Sequence, residues 1–371
     1  MRSYFQALRG LAALIFVFSC SYGCTPAPTP AANSSSGTGS GSGGESTAAK
    51  DGELVKVAGL EGLTGKIEID GSSTVYPVTE AVAEEFQKAT KQNVKVTVGI
   101  SGTGGGFKKF TRGETDISDA SRPITKDELT AAAANKIEYL ELPICFDALT
   151  VVVNAKNTWV DSITIDDLKK MWEPAAEGKV KKWNDVRAEW PAEDLALYGP
   201  GTDSGTFDYF TQAIVGKEKS SRPDYTPSED DNTLVQGVEG NKGALGYFGY
   251  AYYEPNKARL KALKIIPPGK DKGVEPSAET VISGAYTPLS RPLFIYPNRK
   301  SLNRPEVQKF VEFYIKNVPA LAAEVKYVPL PADAYVKVLS RLQKMEVGTA
   351  FGGTPEVGLA INAILDRPVA K

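Results

Sequence analysis

Polar and apolar residues alternate with period two along Lys66-Ile67-Glu68-Ile69-Asp70 and again along Val94-Lys95-Val96-Thr97-Val98. The pattern predicts two strands, each with one buried face. Between them Val78, Val82 and Phe86 recur at four-residue spacing, the stripe of an amphipathic helix. Strand, helix and strand at this distance form a βαβ unit with parallel pairing. Further on, Thr150–Val153 reads as a continuous apolar strand. Thr164 reads as an N-cap with Asp166 and Asp167 in the positive first turn of a helix. Leu195–Tyr198 is a short strand, Phe207–Val215 a helix, and Glu306–Ile315 a helix opened by Pro305. The alternation predicts an α/β fold. With no internal repeat and no second linker, two lobes would have to be interwoven, not strung in series.

The N-terminal pattern is different. Arg2 and Arg9 precede the unbroken apolar run Leu11–Phe18, which is far shorter than the roughly 20 residues a membrane-spanning helix needs. Charge followed by a short apolar core is the order of an export signal, so residues 1–19 are set apart from the fold. Ser19-Cys20-Ser21-Tyr22-Gly23-Cys24 follows and resembles a bacterial lipobox, with Cys20 the better acceptor and Cys24 the alternative. Val17 and Ser19 suit Cys20, although Phe18 is bulkier than the pattern favours. Residues 20–50 are then a lipid-anchored linker. Its Thr25–Ala49 stretch of Pro, Ala, Ser, Thr and Gly has too little apolar bulk to offset its ordering entropy. Such a chain gives a tether of roughly 25–30 Å, and the body is expected on the periplasmic side of the cell envelope.

Composition narrows the chemistry. Lys and Arg number 43 against 45 Asp and Glu, so no basic excess points to nucleic acid. Past the leader the only cysteine is Cys145, inside an apolar run, where it reads as a small buried hydrophobe. The histidine count is 0, which excludes Ser-His-Asp and Cys-His catalysis and imidazole metal sites. No cofactor or metal is expected. A metal-free phosphate-ester hydrolase using Asp119, Asp203 or Asp208 would need a nucleophile, an acid and room for a leaving group, and no such set is recognisable.

The informative residues sit at four corners where strands hand over to helices. They are Gly71-Ser72-Ser73-Thr74, then Ser101-Gly102-Thr103-Gly104-Gly105-Gly106 before a helix expected at Phe107, then Asp119-Ala120-Ser121-Arg122-Pro123, and finally Gly201-Thr202-Asp203-Ser204-Gly205-Thr206. Helix N-termini present free N–H groups and positive dipole ends to anions. Glycine lets the backbone approach closely, and Ser and Thr add compact donors. Each corner alone has an ordinary reading: a cap, a flexible loop, or a surface ion pair for Arg122. The second is neither a P-loop nor GxGxxG. Their combination in one chain is what suggests a shared oxyanion.

These four segments together resemble the PstS family of phosphate-binding proteins, over most of the body from about Gly65. Asp147-Ala148-Leu149-Thr150-Val151-Val152-Val153-Asn154 and Gly243-Ala244-Leu245-Gly246-Tyr247 match as well, and Leu289-Ser290-Arg291-Pro292-Leu293-Phe294 resembles an SphX-like branch. The resemblance implies a two-lobed periplasmic binding protein fold of type II, each lobe a mixed sheet flanked by helices, with the ligand in the cleft. Residues 51–146 and 291–371 would form lobe 1 and residues 147–290 lobe 2, with strands crossing near Leu142–Val151 and Thr287–Ile295. It implies a monomeric, non-enzymatic carrier of inorganic phosphate that serves the permease subunits of an ABC importer. Carried over by position, Ser73 or Thr74, Ser101, Thr103, Ser121, Ser204, Gly205 and Thr206 would surround the ligand. Two positions depart from the family. A carboxylate usually stands where Ser121 stands here, and an arginine usually stands where this chain has Pro200. The expectation is that Arg122 supplies the cation and that Asp119 or Asp203 accepts the phosphate proton. Another tetrahedral oxyanion (sulfate, molybdate or a phosphonate) and a phosphate sensor without a transporter are the competing readings.

Overall fold

In a computed structural model, residues 54–370 are described apart from 203, 229, 355, 357 and 358. In chain order the elements are β1 (Gly65–Gly71), α1 (Tyr76–Ala89), β2 (Val94–Ile100), α2 (Gly102–Phe110), β3 (Ile117–Ala120), α3 (Lys126–Ala134), β4 (Leu142–Asn154), β5 (Ser162–Thr164), α4 (Ile165–Trp172), α5 (Trp183–Val186), β6 (Ala196–Pro200) and α6 (Gly205–Ile214). They continue with β7 (Thr226–Ser228), α7 (Asp231–Gly240), β8 (Ala244–Gly249), α8 (Tyr250–Tyr253), β9 (Leu260–Ala262), β10 (Lys264–Ile266), α9 (Ala278–Ile282), β11 (Ser290–Pro297), α10 (Pro305–Glu324), β12 (Val328–Pro329), α11 (Ala332–Lys344) and α12 (Ile361–Leu365). The predicted leader and both candidate lipidation residues, Cys20 and Cys24, lie outside the described residues. No helix among the described residues is long and apolar enough to cross a membrane.

The main sheet runs β2-β1-β3-β11-β4-β8-β6-β7, with β9 and β12 also on β4. The βαβ unit read from periodicity forms, β1 pairing parallel with β2 from Gly65 opposite Val94 to Gly71 opposite Ile100. β3 joins β1 on the other side, also in parallel. β11 and β4 run antiparallel to their neighbours and carry the sheet from one half to the other. The thirteen residues of β4 are buried throughout. Its first half pairs with β11 and β12, its second half with β8 and β9. The handover falls at Asp147, Ala148 and Leu149. The result is a two-lobed α/β fold in which a single long strand belongs to both sheet halves.

Side-chain alternation on β3 separates the helix layers, because successive residues of a strand face opposite ways. Ser118 faces α2, where its Oγ would lie 3.0 Å from a Cβ on Gly106. Asp119 faces α1 and α10, beside Thr79 and Tyr314. α1 and α10 are pinned together by Phe86 edge-on to Phe310 and Phe313, with ring centres 5.2 and 5.4 Å apart. In the other half, Trp172, Phe210 and Tyr247 form one aromatic block under α4 and α6. Gly199 is small because this block fills the space above it: a Cβ there would meet Tyr247 at 2.8 Å.

Candidate anion-binding site

Three of the four corners lie side by side because β1, β2 and β3 are parallel neighbours and end together. Ser72 N–H donates to Asp119 O at 3.0 Å and Ser101 N–H to Gly71 O at 3.1 Å. The glycine run does more than loosen a loop. The second helix starts at Gly102, five residues ahead of the expected Phe107, so Gly104, Gly105 and Gly106 lie inside its first turns. A Cβ on Gly106 would come within 2.5 Å of Gly71 Cα and 2.9 Å of Asp70 O. Only a glycine lets α2 rest directly on the end of β1. Thr103 and Ser121 then meet, their hydroxyls 3.0 Å apart, and Ser121 N–H donates to Thr103 Oγ1 at 3.2 Å. The third corner is a linker and not a direct strand-to-helix junction: α3 begins at Lys126, behind a capping box of Thr125 and Glu128.

The fourth corner reaches the first across the molecule. Thr74 Oγ1 donates to Gly205 O at 3.5 Å, and a Cβ on Gly205 would strike Thr74 Cα at 3.0 Å. Ser72, not Ser73 or Thr74, accepts the turn's backbone N–H, from Thr74. This leaves the Thr74 hydroxyl available for contacts outside its own turn. Ser204 caps α6 by accepting from Thr206 N–H at 3.2 Å. Asp203, a candidate acceptor, lies outside the described residues.

The two arginines divide the cationic work differently from the sequence expectation. Arg122 forks onto Glu128, both N–O distances being 2.9 Å, and sits over the Phe107 ring at 5.7 Å. The guanidinium that touches the meeting point of corners one and four is Arg291 on β11. Its Nη2 donates to Thr74 Oγ1 at 3.1 Å, and its Cζ lies 3.7 Å from the centre of the Tyr209 ring on α6. The same Nη2 is 3.5 Å from Asp147 Oδ2 on the neighbouring strand. Tyr327 closes this side by donating to Thr74 O at 2.7 Å. A cavity of about 430 Å³ is lined by Ser121, Arg122, Phe146, Tyr209, Ser290 and Arg291 among others, so the third corner and Arg291 face one space.

Three carboxylates near the corners behave differently. Asp70 is used up: Ser101 Oγ donates to it, and Lys109 Nζ donates at 2.6 Å. Asp119 is 1% exposed with neither oxygen hydrogen-bonded, and burial pushes its pKa up to about 7. It looks toward the α1–α10 layer, away from Thr103 and Ser121. Asp147 is 4% exposed, and its Oδ2 has no hydrogen-bond partner. Burial raises its pKa, with the charge of Arg291 pulling the other way.

Arg291 and Asp147 stood in the sequence only as parts of longer motifs. The signal that singles them out is a charged residue inside an otherwise apolar strand, Asp147 between Phe146 and Ala148 and Arg291 next to Pro292-Leu293-Phe294. A charge in such a run is paired or functional. Nothing local says that the two strands are neighbours.

The arrangement offers small hydroxyls, helix N-termini and one forked cation to a compact anion. A family model for a PBP superfamily domain matches residues 32–318. Protein SphX of Synechocystis sp. is 52% identical over 305 residues, 81% of this chain and 89% of that protein. Phosphate-binding protein PstS of Staphylococcus saprophyticus is 39% identical, covering 75% and 84%. Among solved structures, a possible phosphate-binding protein from Planctomyces limnophilus has 48% identity and a TM-score of 0.73, covering 76% of this chain and 99% of that one. The chain therefore belongs to the PBP superfamily, within the group that contains SphX and PstS.

Proposed function

We infer that this protein captures inorganic phosphate and delivers it to an ABC importer, and that it is a binding protein and not an enzyme. The observation that carries the reading is the contact of Thr74 with Gly205, with the Arg291 guanidinium on the same hydroxyl. Corners from far-apart stretches of sequence thereby share one cation. The names of the SphX and PstS relatives point to the same chemistry. The ligand shell is drawn from Ser73, Thr74, Ser101, Thr103, Ser121, Ser204, Gly205 and Thr206, with Arg122 at the rim of the adjoining cavity. These donors replace the water around the anion once the cleft excludes solvent. The lobes divide into 51–146 with 291–371 and 147–290, and hinge about the strands that pass between them. The protein acts as a monomer, tethered by a lipid on Cys20 or Cys24 to the outer side of the membrane.

Calorimetric titration of the purified body tests the reading. Micromolar capture corresponds to about 8 kcal/mol, and phosphate should bind at that strength or tighter. Equal affinity for sulfate overturns phosphate capture as the function. Labelling with a radioactive fatty acid tests the anchor: Cys20→Ser should abolish incorporation, and label retained until Cys24 is also replaced would move the anchor to Cys24.

A further inference from the structure

We propose that Asp147 and Arg291 together sort oxyanions by whether they carry a proton, Asp147 accepting that proton's hydrogen bond. The inference rests on the phosphate-capture reading above. The two residues sit opposite each other in the register of β4 and β11, on the strands that pass from one sheet half to the other. One guanidinium thus touches Thr74 of the first corner at 3.1 Å, Asp147 at 3.5 Å and, face on, Tyr209 of the helix that follows the fourth corner. Arg291 Nε and Asp147 Oδ2 are both buried without a hydrogen-bond partner. A desolvated donor and a desolvated acceptor left open side by side are complementary to a ligand that offers an anionic oxygen and a hydroxyl together.

Charge makes the choice sharper. The pair is neutral as a whole, so it exerts no net pull on an arbitrary dianion. A fully deprotonated oxyanion would meet Asp147 with repulsion and no hydrogen to give. A protonated one donates its O–H to Asp147 while its other oxygens accept from Arg291 and Thr74. Phosphate and arsenate keep a proton near neutral pH; sulfate and molybdate do not. The other nearby carboxylates are occupied or turned away. Asp70 serves Ser101 and Lys109, Glu128 serves Arg122, and Asp119 faces Thr79 and Tyr314.

The test is calorimetry on the purified chain with phosphate, arsenate, sulfate and molybdate, for the wild type, Asp147→Asn, Asp147→Ser and Arg291→Ala. Circular dichroism and thermal melts check that each variant is folded. The wild type should prefer phosphate and arsenate by about 100-fold. Either Asp147 variant should shrink that ratio at least tenfold by weakening the first pair and strengthening the second, and Arg291→Ala should weaken all four anions alike. A folded Asp147 variant that keeps the wild-type ratio overturns the proposal and leaves phosphate capture standing. A wild type that binds neither phosphate nor arsenate removes both.

Discussion

Two buried carboxylates with open oxygens sit a short distance apart in this protein, and their surroundings give them different roles. Asp147 has a guanidinium within reach; Asp119 has only hydroxyls. Burial therefore pushes Asp119 to about 7 from an ordinary 3.8. Between those values the folded protein holds a proton that the unfolded chain has lost. The stability Asp119 contributes is complete below the unfolded value and is lost as pH rises through the window, on the order of 1 kcal/mol per pH unit. Replacing Asp119 with Asn should flatten the fall in melting temperature between about pH 4 and pH 7. Parallel wild-type and variant profiles would mean that Asp119 does not titrate there. The arginines make a second contrast. Arg122→Ala breaks a fork to Glu128 and should lower phosphate affinity less than Arg291→Ala, which empties the contact to Thr74. The reverse order of dissociation constants would return the cationic role to Arg122.

At the scale of elements, the key join is α2 lying on the end of β1. Its glycines were legible as flexibility or anion approach. Their burden is steric: at Gly106 the nearest backbone atom is 2.5 Å from a would-be Cβ. Gly106→Ala must lift the helix or shift the strand, which overpacking data place at about 1–3 kcal/mol. The same displacement separates Thr103 from Ser121. Urea unfolding should give a lower midpoint, and phosphate affinity should fall with it. An alanine variant with unchanged midpoint and affinity would show that the helix has slack. Gly102 is different. Its φ of +74° is left-handed, and a Cβ there would meet nothing within 4 Å. Alanine at that position strains the backbone alone.

For the whole molecule, capture links to stability by mass action. A ligand that binds only the folded state stabilises it by about 2.7 kcal/mol at 100 times its dissociation constant. Phosphate at that excess should raise the melting temperature by several degrees, and sulfate at the same concentration should leave it nearly unchanged. A sulfate shift as large as the phosphate shift would refute selective capture. β4 gives the reason for expecting both sheet halves to respond together. It is buried along all thirteen residues and pairs with strands of both, so neither half can lose its order without exposing the other's edge.

The chain order carried much of this by itself. Period-two runs at Lys66–Asp70 and Val94–Val98, and the Val78–Phe86 stripe, specify a βαβ unit because those periods depend only on which residues face the core. Corner chemistry was readable too, since Ser, Thr and Gly at a strand's end offer donors wherever the strand goes. The extent of the helices was harder. α10 runs from Pro305 to Glu324 through Pro319, whereas local pattern ended it at Ile315, because its packing on α1 outweighs the missing hydrogen bond. What only the tertiary structure decided is which distant residues meet. Thr74 and Gly205 are separated by 131 positions, Thr74 and Arg291 by 217. Contacts that remote are set by strand order across the sheet, and strand order is a property of how the whole core closes, not of any window of sequence.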